Sequence, residues 1–199
     1  MTDDITAERR VVCIGDSNTY GYDPRSFLGG RYPEAIRWTG RLSGWDVVNY
    51  GENGAEIPTR EWQFEVHEQR IRQAAPIAAV VVMLGSNDLL QQPEFTAEQV
   101  AERMETYLRR ITRHIPPDKI LLLAPVPLRP GTWVSEPRLI EESARLGECY
   151  ETVAERLGTA CADTSMWNIE LCFDGVHLTP DGHRLFAENV QILLKERFA

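Results

Sequence analysis

Short apolar segments alternate with longer amphipathic segments along the chain, and this alternation most constrains its fold. The apolar segments predict five β-strands, at residues 9–15, 45–51, 77–85, 119–127 and 159–165. Patterns typical of helices lie between and after them, at residues 34–44, 59–75, 96–115, 141–158 and 179–198. Strands that are joined by helices run parallel, because each helix carries the chain back across the sheet. The sequence therefore predicts an α/β fold, a five-stranded parallel sheet with helices on both faces.

Local signals support several of these elements. The third strand is the most apolar and is expected at the centre of the sheet. Thr96 and Gln99 have the spacing of a capping box at the start of the third helix. Pro76 ends the second helix, since proline cannot donate the hydrogen bond that would continue it.

Length and charge restrict the classes of protein to which the chain can belong. Its 199 residues suit a single domain over residues 1–199, without repeats or linkers. A net charge of −9 argues against nucleic acid and against anionic membrane surfaces as partners. No segment is long and apolar enough to span a bilayer, and the polar N-terminus does not resemble a secretory signal. These features predict a cytoplasmic protein.

The four cysteines, Cys13, Cys149, Cys161 and Cys172, have no spacing typical of a zinc site. In a reducing compartment they are expected to be free thiols that pack as small apolar residues, and a disulfide is the alternative.

Compact polar sequences follow four of the five strands. They are Gly-Asp-Ser-Asn at 15–18, Asn-Tyr-Gly-Glu-Asn-Gly at 49–54, Gly-Ser-Asn-Asp at 85–88 and Asp-Gly-Val-His at 174–177. In a parallel α/β sheet, the loops at the carboxyl ends of the strands meet at one edge and form the ligand crevice. Convergence of four such loops indicates a functional site rather than ordinary turn chemistry.

These residue types are the ones that acyl transfer requires. Ser17 is the candidate nucleophile, and His177 is the candidate base that activates it. Asp174, three residues before His177, can orient the imidazole and stabilise its charged form. The candidate oxyanion donors are the backbone N–H groups of Ser17 and Gly54 and the side-chain amide of Asn87.

The four sequences, in this order, resemble the conserved blocks of the SGNH, or GDSL-type, hydrolases. GDSN is similar to the first block, NYGENG to the second, GSND to the third and DGVH to the catalytic Asp-x-x-His block. The resemblance implies a three-layer α/β/α sandwich, flavodoxin-like in architecture, and a hydrolase that needs no metal or other cofactor. It places Gly54 and Asn87 in the oxyanion hole; Gly51 is the alternative to Gly54, which is preferred from its distance to Asn49.

RYPEAIRWTGRL at 31–42 resembles a segment of the arylesterase and acyltransferase branch, whose members act on small acyl esters. One departure from the family pattern is Asn18, which stands where many members have Leu. Relatives by this resemblance can be oligomeric, so a homo-oligomer remains an open alternative.

The predicted substrate-binding residues are Asp16, Trp133 and Val176. Trp133 lies in the long loop at 125–137, and whether this loop closes over substrate is left open by the sequence. Among the other candidates, Ser86 is a rival nucleophile without a placed base, and Asp88 is expected to be structural. His183 is also expected to be structural, whereas His67 and His114 are expected to be solvated helix residues.

Three functions remain open. The first is a serine esterase that hydrolyses or transfers small acyl groups through an acyl-enzyme on Ser17; aryl esters and acetylated carbohydrates are both candidate substrates. The second is a metal-dependent phosphoesterase, since Asp16, Asn87, Asp88, Asp174 and His177 are also metal-ligand types. The third is a non-catalytic binding module in which the GDSN turn holds a phosphate.

Overall fold

The computed structural model describes residues 9–26, 29–92 and 94–198. Its main sheet contains five parallel strands in the order β2-β1-β3-β4-β5. The strands are β1 (Arg10–Gly15), β2 (Asp46–Gly51), β3 (Ala79–Met83), β4 (Ile120–Leu123) and β5 (Ala160–Ala162). The predicted α/β fold and the central position of the third strand are thus confirmed.

The helices are α1 (Ser17–Tyr20), α2 (Glu61–Ala74), α3 (Ser86–Gln91), α4 (Ala97–Ile111), α5 (Pro137–Leu157) and α6 (Pro180–Phe198). The predicted capping box begins α4, where the Thr96 side chain accepts a hydrogen bond from the Gln99 N–H and the Gln99 side chain accepts one from the Thr96 N–H. Helices α1 and α3 are short and directly follow β1 and β3, so they carry polar residues at the carboxyl edge of the sheet.

Two apolar cores lie on opposite faces of the sheet, because successive strand residues point to opposite sides. Val12, Val80 and Leu122 belong to the core that includes α2, α4 and α5. Cys13, Val81 and Leu121 belong to the other core, which includes Trp38 and α6. This arrangement is the three-layer α/β/α sandwich expected from the sequence.

The segment at 34–44 differs from the prediction, because it forms turns and one short 3₁₀ helix, Thr39–Arg41, rather than an α-helix. Its Trp38 is fully buried between the sheet and α6. The Trp38 indole N–H donates to the carbonyl of Asn18 over 3.1 Å, and its backbone N–H donates to Nδ1 of His183 over 3.3 Å. These tertiary contacts replace the backbone bonds of a local helix.

The four cysteines are free thiols, as predicted, and Cys13 is buried in the sheet. Within the ranges that the structure describes, no helix combines the length and apolar character required to cross a membrane.

The cap of α4 provides a test of the fold. We expect Thr96→Ala to lower the free energy of unfolding by about 1 kcal/mol, because the N–H of Gln99 loses its acceptor. Urea denaturation measures the change. Thr106→Ala, an exposed substitution on the same helix, is the control and is expected to change stability by less than about 0.5 kcal/mol. Equal losses in both variants would contradict the role of the cap.

Candidate active site

The one-turn helix α1 carries Ser17 at its first position, directly after β1. A helix this short leaves its last carbonyl groups without intrahelical partners. Each carbonyl of α1 instead has a donor: Gly21 N for Ser17 (2.8 Å), Trp38 Nε1 for Asn18 (3.1 Å), Asn49 Nδ2 for Thr19 (2.7 Å) and Arg31 Nε for Tyr20 (2.7 Å). At the other end, the Asp16 side chain accepts from the Asn18 N–H. The nucleophile candidate therefore lies on a turn whose backbone carbonyl groups accept hydrogen bonds from several distant segments.

A hydrogen-bonded chain links Ser17, His177 and Asp174. The distance from Ser17 Oγ to His177 Nε2 is 2.9 Å, and His177 Nδ1 lies 2.7 Å from Asp174 Oδ2. An ionised carboxylate can only accept, so Nδ1 carries the proton of a neutral ring and Nε2 accepts from the serine hydroxyl. The structure thus brings together the three residues that the sequence predicted as a catalytic set.

Asp174 is fully buried, and its environment favours the carboxylate. Burial by itself would raise the pKa of this carboxyl. Hydrogen bonds from the His177 ring and from the backbone N–H groups of His177 and Val176 outweigh that effect, so the pKa of Asp174 lies below its ordinary value. A carboxylate that stays charged can orient His177 and stabilise its protonated form.

The candidate oxyanion donors line the same cleft. Gly54 has φ of +72°, in the left-handed region that glycine adopts without strain. Asn87 donates one amide hydrogen to the Ala55 carbonyl over 2.9 Å, which fixes the side chain and leaves its second hydrogen for a ligand. The N–H of Gly51, by contrast, donates to Oδ1 of Asn49 over 2.8 Å. This occupied donor favours Gly54 over Gly51.

The cleft has a volume of about 530 Å³ and an apolar and a polar side. Tyr22, Leu90, Trp133 and Val176 supply apolar surface, and the amides of Asn53, Asn87 and Gln91 supply polar groups. The rings of Tyr22 and Trp133 contact the His177 imidazole, with centroids at 4.7 and 5.1 Å respectively. Trp133 is 55% exposed, so much of its side chain is accessible to a ligand.

The loop at 125–137 is tied by its backbone to the turn that carries the catalytic candidates. Arg129 N donates to Gly175 O over 3.0 Å, while Thr132 N and Trp133 N donate to the carbonyls of Phe173 and Asp174, each over 3.1 Å. In this structure the loop therefore forms a fixed wall of the cleft, bonded to the segment that precedes His177.

The three predicted substrate-binding residues lie in different places. Trp133 and Val176 line the cleft. Asp16 is almost fully buried behind Ser17, where it caps α1 and does not contribute to the cleft lining. Burial raises the pKa of its carboxyl to about 6, although the hydrogen bond from Asn18 and the charge of His177 lower it. The placement of Asp16 supports a role in shaping the turn that carries Ser17 and gives no support to a contact with substrate.

The remaining candidates lie outside the hydrogen-bonded chain of Ser17, His177 and Asp174. Asp88 accepts from Ile57 N over 3.0 Å and from Arg103 Nη1 over 2.9 Å, consistent with its predicted structural role. His183 is buried in the core, and burial lowers its pKa to about 3. His67 differs from the prediction: it is half-buried, with Nδ1 2.8 Å from the Tyr107 hydroxyl, and burial lowers its pKa to about 4.

The sequence pattern does not predict that Tyr22, Asn53, Leu90 and Gln91 line the cleft. Tyr22 lies in the long segment after β1 and the other three lie near the second and third polar sequences, but only the packed loops show which side chains face the cleft. Within the described part of the chain, no three His, Cys, Asp or Glu side chains are grouped so that they could hold a metal ion.

Comparison with known proteins gives a consistent result. Residues 13–185 match the family described as GDSL-like Lipase/Acylhydrolase. A carbohydrate acetylesterase family member from Sinorhizobium meliloti is 25% identical, with a TM-score of 0.81 over 96% of this chain and 99% of the other. The native aryl esterase of M. smegmatis is 19% identical, with a TM-score of 0.80 over 95% and 99% of the two chains, a likeness of fold alone. No curated protein sequence matches the chain.

The contact between the 125–137 loop and the Asp174 turn can be tested at Gly131. A Cβ at this position would lie 2.5 Å from the Asp174 carbonyl oxygen. We expect Gly131→Ala to lower the free energy of unfolding by about 1–3 kcal/mol through overpacking, as measured by urea denaturation. Thr132→Ala is the exposed neighbouring control. If Gly131→Ala is as stable as this control, the loop does not press against the turn as described.

Proposed function

The chain belongs to the GDSL-like lipase/acylhydrolase family, and from this premise we propose that it is a serine esterase that acts on small carboxylic esters. The observation that carries the proposal is the hydrogen-bonded chain from Ser17 through His177 to Asp174, which opens onto a cleft. Membership of the family supports ester hydrolysis. The roles of the individual residues are inferred from their geometry.

In the proposed reaction, His177 Nε2 takes the proton of the Ser17 hydroxyl as Oγ attacks the ester carbonyl. Asp174 stabilises the imidazolium that forms. The oxyanion of the tetrahedral intermediate accepts hydrogen bonds from Ser17 N–H, Gly54 N–H and the Asn87 amide. His177 then returns the proton to the leaving alcohol, and the acyl group stays on Ser17.

In hydrolysis, His177 removes a proton from water as the water oxygen attacks the acyl carbonyl, and it returns the proton to Ser17 Oγ as the carboxylic acid leaves. An alcohol that competes with water would accept the acyl group from the same intermediate. The proposal therefore covers acyl transfer as well as hydrolysis, and the ratio of the two products in water–alcohol mixtures measures the partition.

Release of nitrophenol from nitrophenyl acetate tests the nucleophile. We expect the wild-type protein to turn over this ester with or without EDTA. Removal of a serine nucleophile lowers kcat by on the order of 10⁶-fold in a serine hydrolase, so Ser17→Ala is expected to fall to the detection limit. Ser86→Ala is the matched control, because Ser86 also follows a sheet strand but lies outside the proposed machinery.

Each contrary result points to a different function. Full activity in Ser17→Ala contradicts the assignment of Ser17 as the nucleophile. Loss of activity in Ser86→Ala alone would assign that role to Ser86. Activity that EDTA abolishes supports the metal-dependent phosphoesterase instead. A wild-type protein that is inert towards esters favours the non-catalytic binding module.

A specific observation favours acetylated carbohydrates as one substrate class. Trp133, which is 55% exposed, and the side-chain amides of Asn53 and Gln91 line the same cleft. Aromatic rings cover the apolar face of a sugar, and planar amides hydrogen-bond its hydroxyl groups.

Asn53→Ala tests this preference. For an acetylated xylo-oligosaccharide that keeps free hydroxyls, kcat/KM is expected to fall by about 10-fold, the effect of roughly one lost hydrogen bond. For nitrophenyl acetate, which has no sugar hydroxyl to recognise, kcat/KM is expected to remain within about 2-fold, since little binding is lost. Equal losses for both esters would contradict recognition of the sugar by Asn53.

A further inference from the structure

The side chain of Asn18 forms two hydrogen bonds with the backbone on either side of His177. Its Nδ2 donates to the carbonyl of Val176 over 3.0 Å, and its Oδ1 accepts from the N–H of Leu178 over 2.9 Å. The side chain carboxamide thus pairs with the backbone as a neighbouring peptide group would in a sheet. Asn18 is only 7% exposed, so water competes little for these bonds.

Asn18 is itself held in place on α1. Its backbone N–H donates to Asp16 Oδ1 over 2.9 Å, and its carbonyl accepts from the Trp38 indole over 3.1 Å. Asn18 directly follows Ser17, so the side chain of Asn18 can move little relative to Ser17. The two bonds to the His177 segment therefore connect one fixed element to another.

Asp174 and Asn18 constrain different degrees of freedom of His177. Asp174 lies on the same turn as His177 and bonds its ring Nδ1 and its backbone N–H. These contacts orient the ring within the turn, but they cannot set the distance from that turn to α1. Asn18 spans the two segments and holds the peptide backbone on both sides of His177.

We propose that Asn18 is a positioning residue that holds His177 at hydrogen-bond distance from Ser17, through the paired bonds of its carboxamide to Val176 O and Leu178 N. This inference rests on the proposed esterase function. Asn18 does not line the cleft, so it acts through His177 and not on the substrate. Asn18 is also the position at which the sequence departs from the family that it resembles, since many members have Leu there.

Asn18→Leu removes both bonds while it keeps the branched shape of the side chain, and Asn18→Asp keeps an acceptor for Leu178 N but loses the donor to Val176 O. Asn189→Leu is the matched control, since among the described residues the side chain of this half-buried asparagine bonds only a carbonyl of its own helix α6. Ser17→Ala and the wild-type protein complete the set. All are assayed with nitrophenyl acetate below their measured unfolding temperatures.

We expect kcat of Asn18→Leu to fall by roughly 10²-fold, the cost of a misplacement of about 1 Å between reacting groups, while KM changes by less than about 3-fold. Asn18→Asp is expected to lose kcat in the same direction, and Asn189→Leu to match the wild type. The proton that His177 Nδ1 shares with Asp174 gives a low-field NMR resonance. We expect this resonance to broaden in Asn18→Leu, because the ring is less fixed.

The outcomes separate this inference from the proposed function. A wild-type protein that is inert, or a fully active Ser17→Ala, overturns the proposed function and this inference with it. If the wild type depends on Ser17 but Asn18→Leu keeps its kcat, or changes only its unfolding temperature or KM, Asn18 is structural and the inference is wrong. If Asn18→Leu does not fold, an unchanged kcat in folded Asn18→Asp also overturns it.

Discussion

The hydrogen bond between Ser17 and His177 joins two residues that are 160 positions apart in the chain, and the site depends on this contact. In the proposed mechanism the 2.9 Å separation of this hydroxyl and imidazole must be kept, because a misplacement of about 1 Å can lower the rate by about 10²-fold. The parallel sheet sets only the approximate position, because it brings β1 and the segment after β5 to the same edge. Local hydrogen bonds provide the remaining precision.

The segment at 31–42 shows how the fold supplies those bonds. Arg31 and Trp38 each donate to a carbonyl of α1, and Asn49 donates to a third. A four-residue helix is too short to persist through its own backbone bonds. The donors from distant segments therefore stabilise the turn on which Ser17 lies. One of these donors is Trp38, which lies in a segment that does not form an α-helix.

Two buried carboxylates near the site, Asp174 and Asp88, are also paired. Asp174 accepts three hydrogen bonds, and the charge of Asp88 is met by Arg103 and by the Ile57 N–H. An unpaired carboxylate in these positions would cost several kcal/mol, so each pairing also fixes the loop that provides the partner. The rigidity of the cleft and the stability of the fold thus arise from the same contacts.

Local sequence patterns are enough to predict the strands, most helices, the capping box of Thr96 and Gln99, and the polar sequences that meet at the sheet edge. These follow from local periodicity and from the rule that parallel strands share a carboxyl edge, which do not require knowledge of packing. The order of the polar sequences also indicated the family to which the chain belongs.

Tertiary packing is required to explain the conformation of residues 34–44, the burial of Asp16 and the pairing of Asn18 with the His177 backbone. An amphipathic pattern predicts a helix, but the pattern does not reveal that Trp38 finds better partners in Asn18 and His183 than in its own turn. Likewise, a carboxylate or an amide after a strand can face either the cleft or the interior. The choice depends on contacts between segments that lie far apart in the chain, so the physical information that settles it is absent from any local stretch of sequence.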